Sequence, residues 1–191
     1  MNQHIQRLLL AVALSAVGLC SVTLATTVAA SSAGEPAFSD EGEAPELTGI
    51  EHWLNSEPLS LKDLRGKVVL IDFWTYSCIN CLRTLPYVTR WFDKFKDRGL
   101  IVIGVHTPEF GFERSTRNVR LALGRNGMKY PVAQDNQYAT WKAFANEYWP
   151  ATYLIDRRGH LMRKHFGEGA YDETERAIEA LLGTGTTEVG Q

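Results

Sequence analysis

The sequence predicts an α/β protein built on a central mixed sheet, and three observations support this class. Two segments, 68–74 and 100–106, are almost entirely apolar, which is typical of strands buried on both faces. The stretch between them repeats apolar residues at helical spacing, so the three elements form a right-handed βαβ unit. A strand–turn–strand pattern over 148–166, followed by an amphipathic helix, indicates an antiparallel β-hairpin and a terminal helix.

The start of the chain has the three parts of a secretory signal peptide. Residues 1–7 are polar and mildly basic, 8–24 are apolar, and 27–30 are small and neutral. We therefore expect an extracytoplasmic protein, in the periplasm or at the cell exterior, cleaved near residue 30. The apolar part approaches membrane-spanning length, so an uncleaved membrane anchor is the alternative. Lipidation is not expected, because Leu19 rather than a small residue precedes Cys20.

The rest of the chain is expected to form one domain between two loose ends. After the signal peptide at 1–30, residues 31–45 are rich in Ser, Gly, Glu and Pro, which predicts a disordered tether. Residues 46–183 form the folded domain, and 184–191 form a flexible tail. The chain has 191 residues and a formal net charge of −2, which gives no indication of nucleic-acid binding. We expect a monomer.

The other predicted elements follow in a regular order. A lead-in with an edge strand at Trp53-Leu54 and a single helical turn at 60–64 precedes the first central strand. The helix after that strand contains Pro86 and stops at Gly99. After the second central strand we expect a loop at 107–113 with two exposed aromatic side chains, a helix at 114–126, an extended segment at 128–133, a short helix at 137–147, the hairpin, and a final helix with a capping box at 172–175.

A Cys-x-x-Cys pair, Cys78 and Cys81, lies at the start of the helix that follows the first central strand. Backbone N–H groups in a first helical turn have no helical partners, and the helix dipole favours negative charge there. The pKa of Cys78 should therefore be about 6 to 7.5, below that of a free thiol. Cys81 lies one turn further in and should be more covered. The pattern predicts thiol–disulfide exchange, with Cys78 attacking and Cys81 resolving.

A zinc site and a purely structural disulfide both fit the cysteine pair less well than exchange chemistry does. A zinc site would need a second Cys-x-x-Cys or a Cys–His pair at metal spacing, and the chain has neither. A disulfide closing so short a loop would remove little entropy from the unfolded chain. With Cys20 in the signal peptide, these are the two cysteines of the mature protein, and we expect redox chemistry without a metal or cofactor.

Two further polar residues occupy notable positions in the predicted strands. Asp72 lies within the first apolar strand, where burial should raise the pKa of its carboxyl above about 3.9. It is either a proton acceptor behind the cysteines or a strand-end acid bonded to the backbone. His106 ends the second strand; the simpler interpretation is an ordinary surface residue, and the alternative is a proton donor or soft-metal ligand.

The arginines of the 114–126 helix form a solvated face or, alternatively, a docking surface for an acidic partner.

The element order resembles that of the thioredoxin superfamily over 47–182. The motif that carries the resemblance is Asp72-Phe73-Trp74-x-x-x-Cys78-x-x-Cys81 followed by Pro86. The signal peptide, the lead-in and the extra segment after the second strand are more similar to exported TlpA/ResA-type reductases and to the thioredoxin-like domain of DipZ-type membrane electron carriers. The resemblance implies a thioredoxin fold and a thiol–disulfide oxidoreductase.

The resemblance also implies roles for individual residues. Cys78 would be the nucleophile, Cys81 the resolving thiol and Asp72 the buried acid. Pro150 would be a cis-proline facing the disulfide, and the substrate-binding residues would be Trp74, Tyr76, Trp149 and Pro150. Trp149 stands where Thr or Val is common and would narrow the substrate groove. The TlpA/ResA pattern has a glutamate at position 84, where this chain has threonine, so proton handling should rest on Asp72.

The function implied is an extracytoplasmic reductase of protein disulfides. Its partners would be protein thiols and disulfides, including apocytochromes, and a membrane electron carrier of the CcdA/DsbD type. Two alternatives remain open from the sequence: a redoxin-type peroxidase that uses Cys78 against peroxide, and a copper-binding thioredoxin-like chaperone that uses both sulfurs with His106.

Overall fold

A computed structural model describes residues 38–183, and within that range the predicted α/β fold is confirmed. The six strands of the sheet are β1 (His52–Leu54), β2 (Val68–Trp74), β3 (Leu100–His106), β4 (Val132–Gln134), β5 (Ala151–Ile155) and β6 (Leu161–Phe166). The helices of the described range are α1 (Ile79–Phe95), α2 (Thr116–Arg125), α3 (Ala139–Ala143) and α4 (Tyr171–Gly183), with 3₁₀ turns at Lys96–Arg98 and Gly111–Arg114.

The sheet is mixed, in the order β1-β4-β3-β2-β5-β6. β2 pairs in parallel with β3 and antiparallel with β5, and β5 and β6 form the predicted antiparallel hairpin. The βαβ unit is therefore β2–α1–β3. Because β2 and β3 are parallel, their carboxyl ends lie side by side, and α1 begins at this edge of the sheet.

The two faces of β2 belong to two separate apolar clusters. Val68, Leu70 and Trp74 pack with side chains of α1, α2 and α4, whereas Ile71 and Phe73 pack on the other face with α3. This alternation follows from the two-residue period of a strand. All seven residues of β2 are buried, so Asp72 lies in the interior of the protein.

Residues 39–44 differ from the predicted disordered tether. The amides of Ser39 and Glu41 donate to the carbonyls of Met162 and Leu161 at 3.0 and 2.9 Å, and Ala44 is buried. β6 is the outer strand of the sheet, and its unpaired backbone groups bind this segment. A polar composition does not report such backbone pairing, so the predicted tether is wrong over these residues.

Two predicted helix starts also differ from the structure. α2 begins at Thr116 rather than at position 114, because a 3₁₀ turn precedes it and Ser115 is its N-cap. α4 begins at Tyr171, so the predicted capping box lies inside the helix. The Glu175 carboxylate instead accepts hydrogen bonds from Trp91 Nε1 at 3.0 Å and Lys94 Nζ at 2.6 Å, which tie α4 to α1.

The predicted signal peptide, residues 31–37 of the tether and the 184–191 tail lie outside the described residues. Across 38–183, no helix has the length and apolar character needed to cross a membrane.

Candidate active site

The cysteine pair lies where β2 passes into α1. Cys78 is the N-cap of α1, with extended backbone angles, and its Sγ accepts a hydrogen bond from the Cys81 amide at 3.3 Å. Cys78 is partly exposed, whereas Cys81 is completely buried, and both are free thiols. The first sulfur can therefore reach a partner in solution, and the second can be reached only through the first.

The pKa of the Cys78 thiol is lowered, and that of the Cys81 thiol is raised. A hydrogen bond from the Cys81 thiol, helped by the N–H groups of Cys81 and Asn80, lowers the pKa of Cys78 to about 6 against the effect of its partial burial. Burial raises the pKa of Cys81 well above its usual value, and its hydrogen bond to Cys78 adds to this effect. Near neutral pH, Cys78 is the thiolate and Cys81 holds its proton.

Asp72 lies on β2 and is buried behind the pair. Within the described range, no donor lies within hydrogen-bonding distance of either oxygen of its carboxyl. Burial, and then the negative charge of Cys78, raise the pKa of Asp72 to about 7. The interpretation of Asp72 as a strand-end acid satisfied by the backbone is therefore wrong. Since Asp72 also raises the pKa of Cys81, the two groups lie close enough to interact.

The position of Trp74 does not fit its predicted substrate-binding role. Its side chain is completely buried, and a substrate protein cannot touch it in this structure. Gly104 stands opposite Asp72 in the β2–β3 register, and a Cβ there would meet Trp74 Nε1 at 3.0 Å and Tyr130 Cε2 at 3.2 Å. The two rings therefore pack in the space that Gly104 leaves open.

Tyr130 is a residue of the site that sequence analysis missed. It is completely buried, and burial followed by the charge of Asp72 raises the pKa of its phenol well above the usual value. The phenol is therefore a neighbour of the buried acid. In the sequence it is one apolar position of an extended segment, and its proximity to Asp72 depends on the glycine on β3.

The other predicted substrate-binding residues border the same end of the sheet. The Trp149–Pro150 peptide bond is cis, as the resemblance implied. Pro150 is buried, and Trp149 is half-buried, with its Nε1 donating to the Thr107 carbonyl at 3.1 Å. Tyr76 is half-buried and donates from its hydroxyl to the Phe112 carbonyl at 2.9 Å. Substrate contact by these three residues stays a prediction.

His106 is buried rather than on the surface, which corrects the simpler interpretation of its position. Its Nε2 lies 3.3 Å from Thr75 Oγ1, and its ring stacks on Tyr76 with centroids 5.7 Å apart. Burial lowers the pKa of His106 to about 4. The imidazole is therefore neutral near pH 7 and supports the active-site turn by packing.

Glu113 is a second residue that sequence analysis missed. Its buried carboxylate accepts hydrogen bonds from the Ser77 amide at 3.3 Å and the Ser77 hydroxyl at 2.5 Å. Its other oxygen accepts from the amides of Glu109 and Phe110 at 2.6 and 2.9 Å. These bonds join the turn before Cys78 to the 107–114 loop. In the sequence, Glu113 looks like any surface charge of a polar loop.

The described part of the chain offers no clear donor set for a metal ion. Between residues 38 and 183, the His, Cys, Asp and Glu side chains form no group of three or more that could hold a metal ion. The copper-binding alternative requires Cys78, Cys81 and His106 to act together, and these three do not make such a group.

A partly exposed thiolate at a helix start, a buried second thiol and a buried acid on this sheet define a thioredoxin-like thiol–disulfide oxidoreductase. The model of the AhpC/TSA family matches residues 41–164. The chain belongs to the AhpC/TSA family. The predictions of the superfamily, the fold and the enzyme class are confirmed at this level.

Three known proteins illustrate the similarity. Protein DipZ of Mycobacterium tuberculosis (strain CDC 1551 / Oshkosh) is 54% identical over 74% of this chain and 21% of its own length. Thiol-disulfide oxidoreductase YkuV of Bacillus subtilis (strain 168) is 35% identical over 72% of this chain and 93% of its own. The crystal structure of a putative thiol:disulfide interchange protein DsbE from Chlorobium tepidum has 25% identity and a TM-score of 0.64, covering 76% of this chain and 99% of that one. This chain thus spans about a fifth of DipZ.

We predict that iodoacetamide alkylates Cys78 of the folded protein in preference to Cys81, with a rate that rises with pH and reaches half its maximum at a pH of about 6. The physical reason is that the thiolate is the reactive form and that Cys81 is both protonated and buried. The measurement is the rate of modification at each site, read by peptide mass spectrometry across the pH range.

The Cys81→Ala variant serves as the control, because it removes the thiol that donates to Cys78. Its inflection should move upwards, whereas Cys78 in unfolded protein should titrate near about 8.5. Equal rates at the two cysteines of the folded wild type, or faster labelling of Cys81, would reverse the assignment of their roles.

Proposed function

We propose that this chain is an extracytoplasmic thiol–disulfide oxidoreductase that reduces disulfide bonds of other proteins through Cys78 and Cys81. The observation that carries the proposal is the asymmetry of the pair: Cys78 is partly exposed at the helix N-cap, and Cys81 is completely buried directly behind it. A structural disulfide would not need one reachable thiolate and one protected thiol.

The first step is attack by the Cys78 thiolate on one sulfur of a substrate disulfide. A bond forms between Cys78 Sγ and that sulfur, the substrate S–S bond breaks, and the second substrate sulfur leaves as a thiolate that takes a proton from water. The pKa of about 6 keeps Cys78 ionised near neutral pH. The product is a mixed disulfide between Cys78 and the substrate.

The second step needs Cys81 to lose its proton in a buried position. We assign Asp72 as the acceptor, because its carboxyl is buried near Cys81 and has a pKa of about 7. The Cys81 thiolate then attacks Cys78 Sγ, the bond between Cys78 Sγ and the substrate sulfur breaks, and that sulfur leaves as a thiolate that takes a proton from water. Two electrons pass from the pair to the substrate, and the pair becomes a disulfide.

The proposed direction of electron flow is reduction of the substrate. Strong oxidants of this fold stabilise their reduced thiolate, and here the support for the Cys78 thiolate comes from the Cys81 thiol and the N–H groups of Cys81 and Asn80. Ile79 and Asn80 between the cysteines add no positive charge. We place the reduction potential at about −270 to −200 mV.

The partners follow from this direction. An external dithiol must return two electrons to the Cys78–Cys81 disulfide after each turnover, and we assign that role to a membrane electron carrier of the CcdA/DsbD type. The substrates would be disulfides of exported proteins, including apocytochromes. The predicted signal peptide at 1–30 supports an extracytoplasmic location, and the similarity to DipZ supports the class of partner.

We predict that Asp72→Asn slows resolution of the mixed disulfide by about ten- to a thousandfold, because it removes the proton acceptor for Cys81. The same variant should be more stable than the wild type above pH 7. The Asp72 pKa of about 7 in the folded protein, against 3.8 in the unfolded chain, makes the ionised acid costly by about 4 kcal/mol at 1.36 kcal/mol per pH unit. This gain should disappear as the pH falls below about 4, where both states are protonated.

Single-turnover reduction of a protein disulfide and unfolding at pH 4 and pH 8 measure these two effects. Asp135→Asn is the matched control: Asp135 is also a buried acid, but it accepts from the amides of Ala139 and Trp141 at 2.8 Å. The Asp135→Asn variant should have a lower free energy of unfolding but should resolve the mixed disulfide at the wild-type rate. An Asp72→Asn protein that resolves at the wild-type rate and melts at a lower temperature would make Asp72 a structural residue.

We predict a midpoint between about −270 and −200 mV when the protein is equilibrated with glutathione redox buffers and the oxidised fraction is measured by mass shift after alkylation. A midpoint above about −150 mV would make the protein an oxidase. Consumption of hydrogen peroxide faster than reduction of protein disulfides would instead assign it to the redoxin-type peroxidases. The Cys78→Ser variant is the blank in both measurements.

A further inference from the structure

A groove lies beside the cysteine pair that the exchange reaction itself does not use. It has a volume of about 510 Å³, which falls in the usual range for binding pockets. One wall is the exposed face of α2 with Leu121 and Arg125, and the other is formed by Tyr76, Leu82 and Phe112. Leu121 and Phe112 are 50% and 59% exposed, so the walls offer apolar surface to a partner.

Two residues that line the groove, Tyr76 and Leu82, stand on either side of the cysteine pair in the chain. Tyr76 precedes Cys78 by two residues, and Leu82 follows Cys81 directly. Ile79, between the cysteines, is 59% exposed and extends the apolar surface to Cys78. One helical turn, about 5.4 Å, separates Cys78 from Leu82, and an extended chain covers that distance with about two residues.

The loop wall of the groove is held in place before any partner arrives. The Tyr76 hydroxyl donates to the Phe112 carbonyl at 2.9 Å, and the buried Glu113 carboxylate binds the backbone of the same loop. The ring of Phe112 stacks against Phe110, with centroids 5.6 Å apart. A preorganised wall costs little entropy on binding, so its apolar area is available for affinity.

The charged side chain that lines the groove is positive. Arg125 lines it, and Arg117 and Arg120 are exposed on the same helix. Among residues 38–183, no carboxylate lies within ion-pairing distance of these three guanidinium groups. A carboxylate on a bound partner would therefore meet unpaired arginines, which favours an acidic segment.

We propose that this groove binds an extended segment of the protein substrate, with an apolar side chain about two residues from the reacting cysteine and a carboxylate next to it. The proposal rests on the proposed function and names its substrate class. The apolar side chain lies between Leu121 and Phe112, and the carboxylate pairs with Arg125. The groove thus selects which disulfides Cys78 attacks, and the chemistry of exchange is unchanged.

The test uses two symmetric peptide disulfides, each made of two identical chains with one cysteine. One peptide has Leu-Glu beginning about two residues from the cysteine, and the other has Ser-Gln in the same place. Symmetry ensures that attack on either sulfur gives the same mixed disulfide. The reduced wild-type protein should reduce the Leu-Glu peptide with about tenfold higher kcat/KM, and this preference should weaken as salt is added.

The variants locate the preference on the groove. Leu121→Ser should reduce the preference to about twofold or less, and Arg125→Glu should make a Leu-Lys peptide better than Leu-Glu. The matched controls are Phe38→Ser, in a surface region next to Arg157 and Met162, and Arg98→Glu, in the turn before β3. Both positions lie at the opposite end of the sheet and should keep the tenfold preference.

Each of the other possible outcomes would contradict either the groove proposal or the proposed function. If the wild type reduces both peptides equally, or if Leu121→Ser keeps the preference, the groove is not the docking site and the proposal is wrong. If light scattering shows a wild-type dimer that Leu121→Ser abolishes, the groove belongs to a second copy of this chain, which also overturns the proposal. If the wild type reduces neither peptide, the proposed function itself fails.

Discussion

The structure depends on one costly arrangement, the burial of the Asp72 carboxyl among apolar side chains with no donor from the described residues in reach. A charge in that position is expensive, so the acid holds its proton up to a pH of about 7. β2 places the carboxyl close enough to Cys81, a thiol that is equally buried, for the two groups to interact. The same desolvation raises the pKa of both groups.

The pKa of Cys78, the partly exposed thiol, is lowered, whereas the pKa values of Asp72 and Cys81 are raised. Cys78 is at a helix start, where N–H groups and the Cys81 thiol stabilise its negative charge. The turn that carries it is fixed from the side by Glu113, which accepts two hydrogen bonds from Ser77. Glu113 thus stays charged because hydrogen-bond donors lower its pKa, whereas Asp72, which has no donor among residues 38–183, changes its charge near pH 7.

Much of this arrangement was predictable from local patterns. The apolar run of β2 predicted a strand buried on both faces, and the position of the cysteines after that strand predicted Cys78 at a helix start. Trp74 and His106 each end a strand that was predicted to be buried, and the expectation that they are accessible there failed because a loop and neighbouring strands cover this end of the sheet. The donors that bind the Glu113 carboxylate come from two loops that only the folded chain brings together. The pairing of 39–44 with β6 depends on a sheet edge that exists only in the tertiary structure.

The most direct test of Asp72 as the proton acceptor is the titration of its carboxyl in the reduced protein. Carboxyl ¹³C NMR follows the side-chain resonance with pH, and the spectrum of Asp72→Asn identifies it by loss of the signal. We expect a midpoint at about pH 7. A midpoint at or below 3.8, the ordinary value for an aspartate, would show an ionised and solvated carboxylate that cannot accept the proton of Cys81 as described.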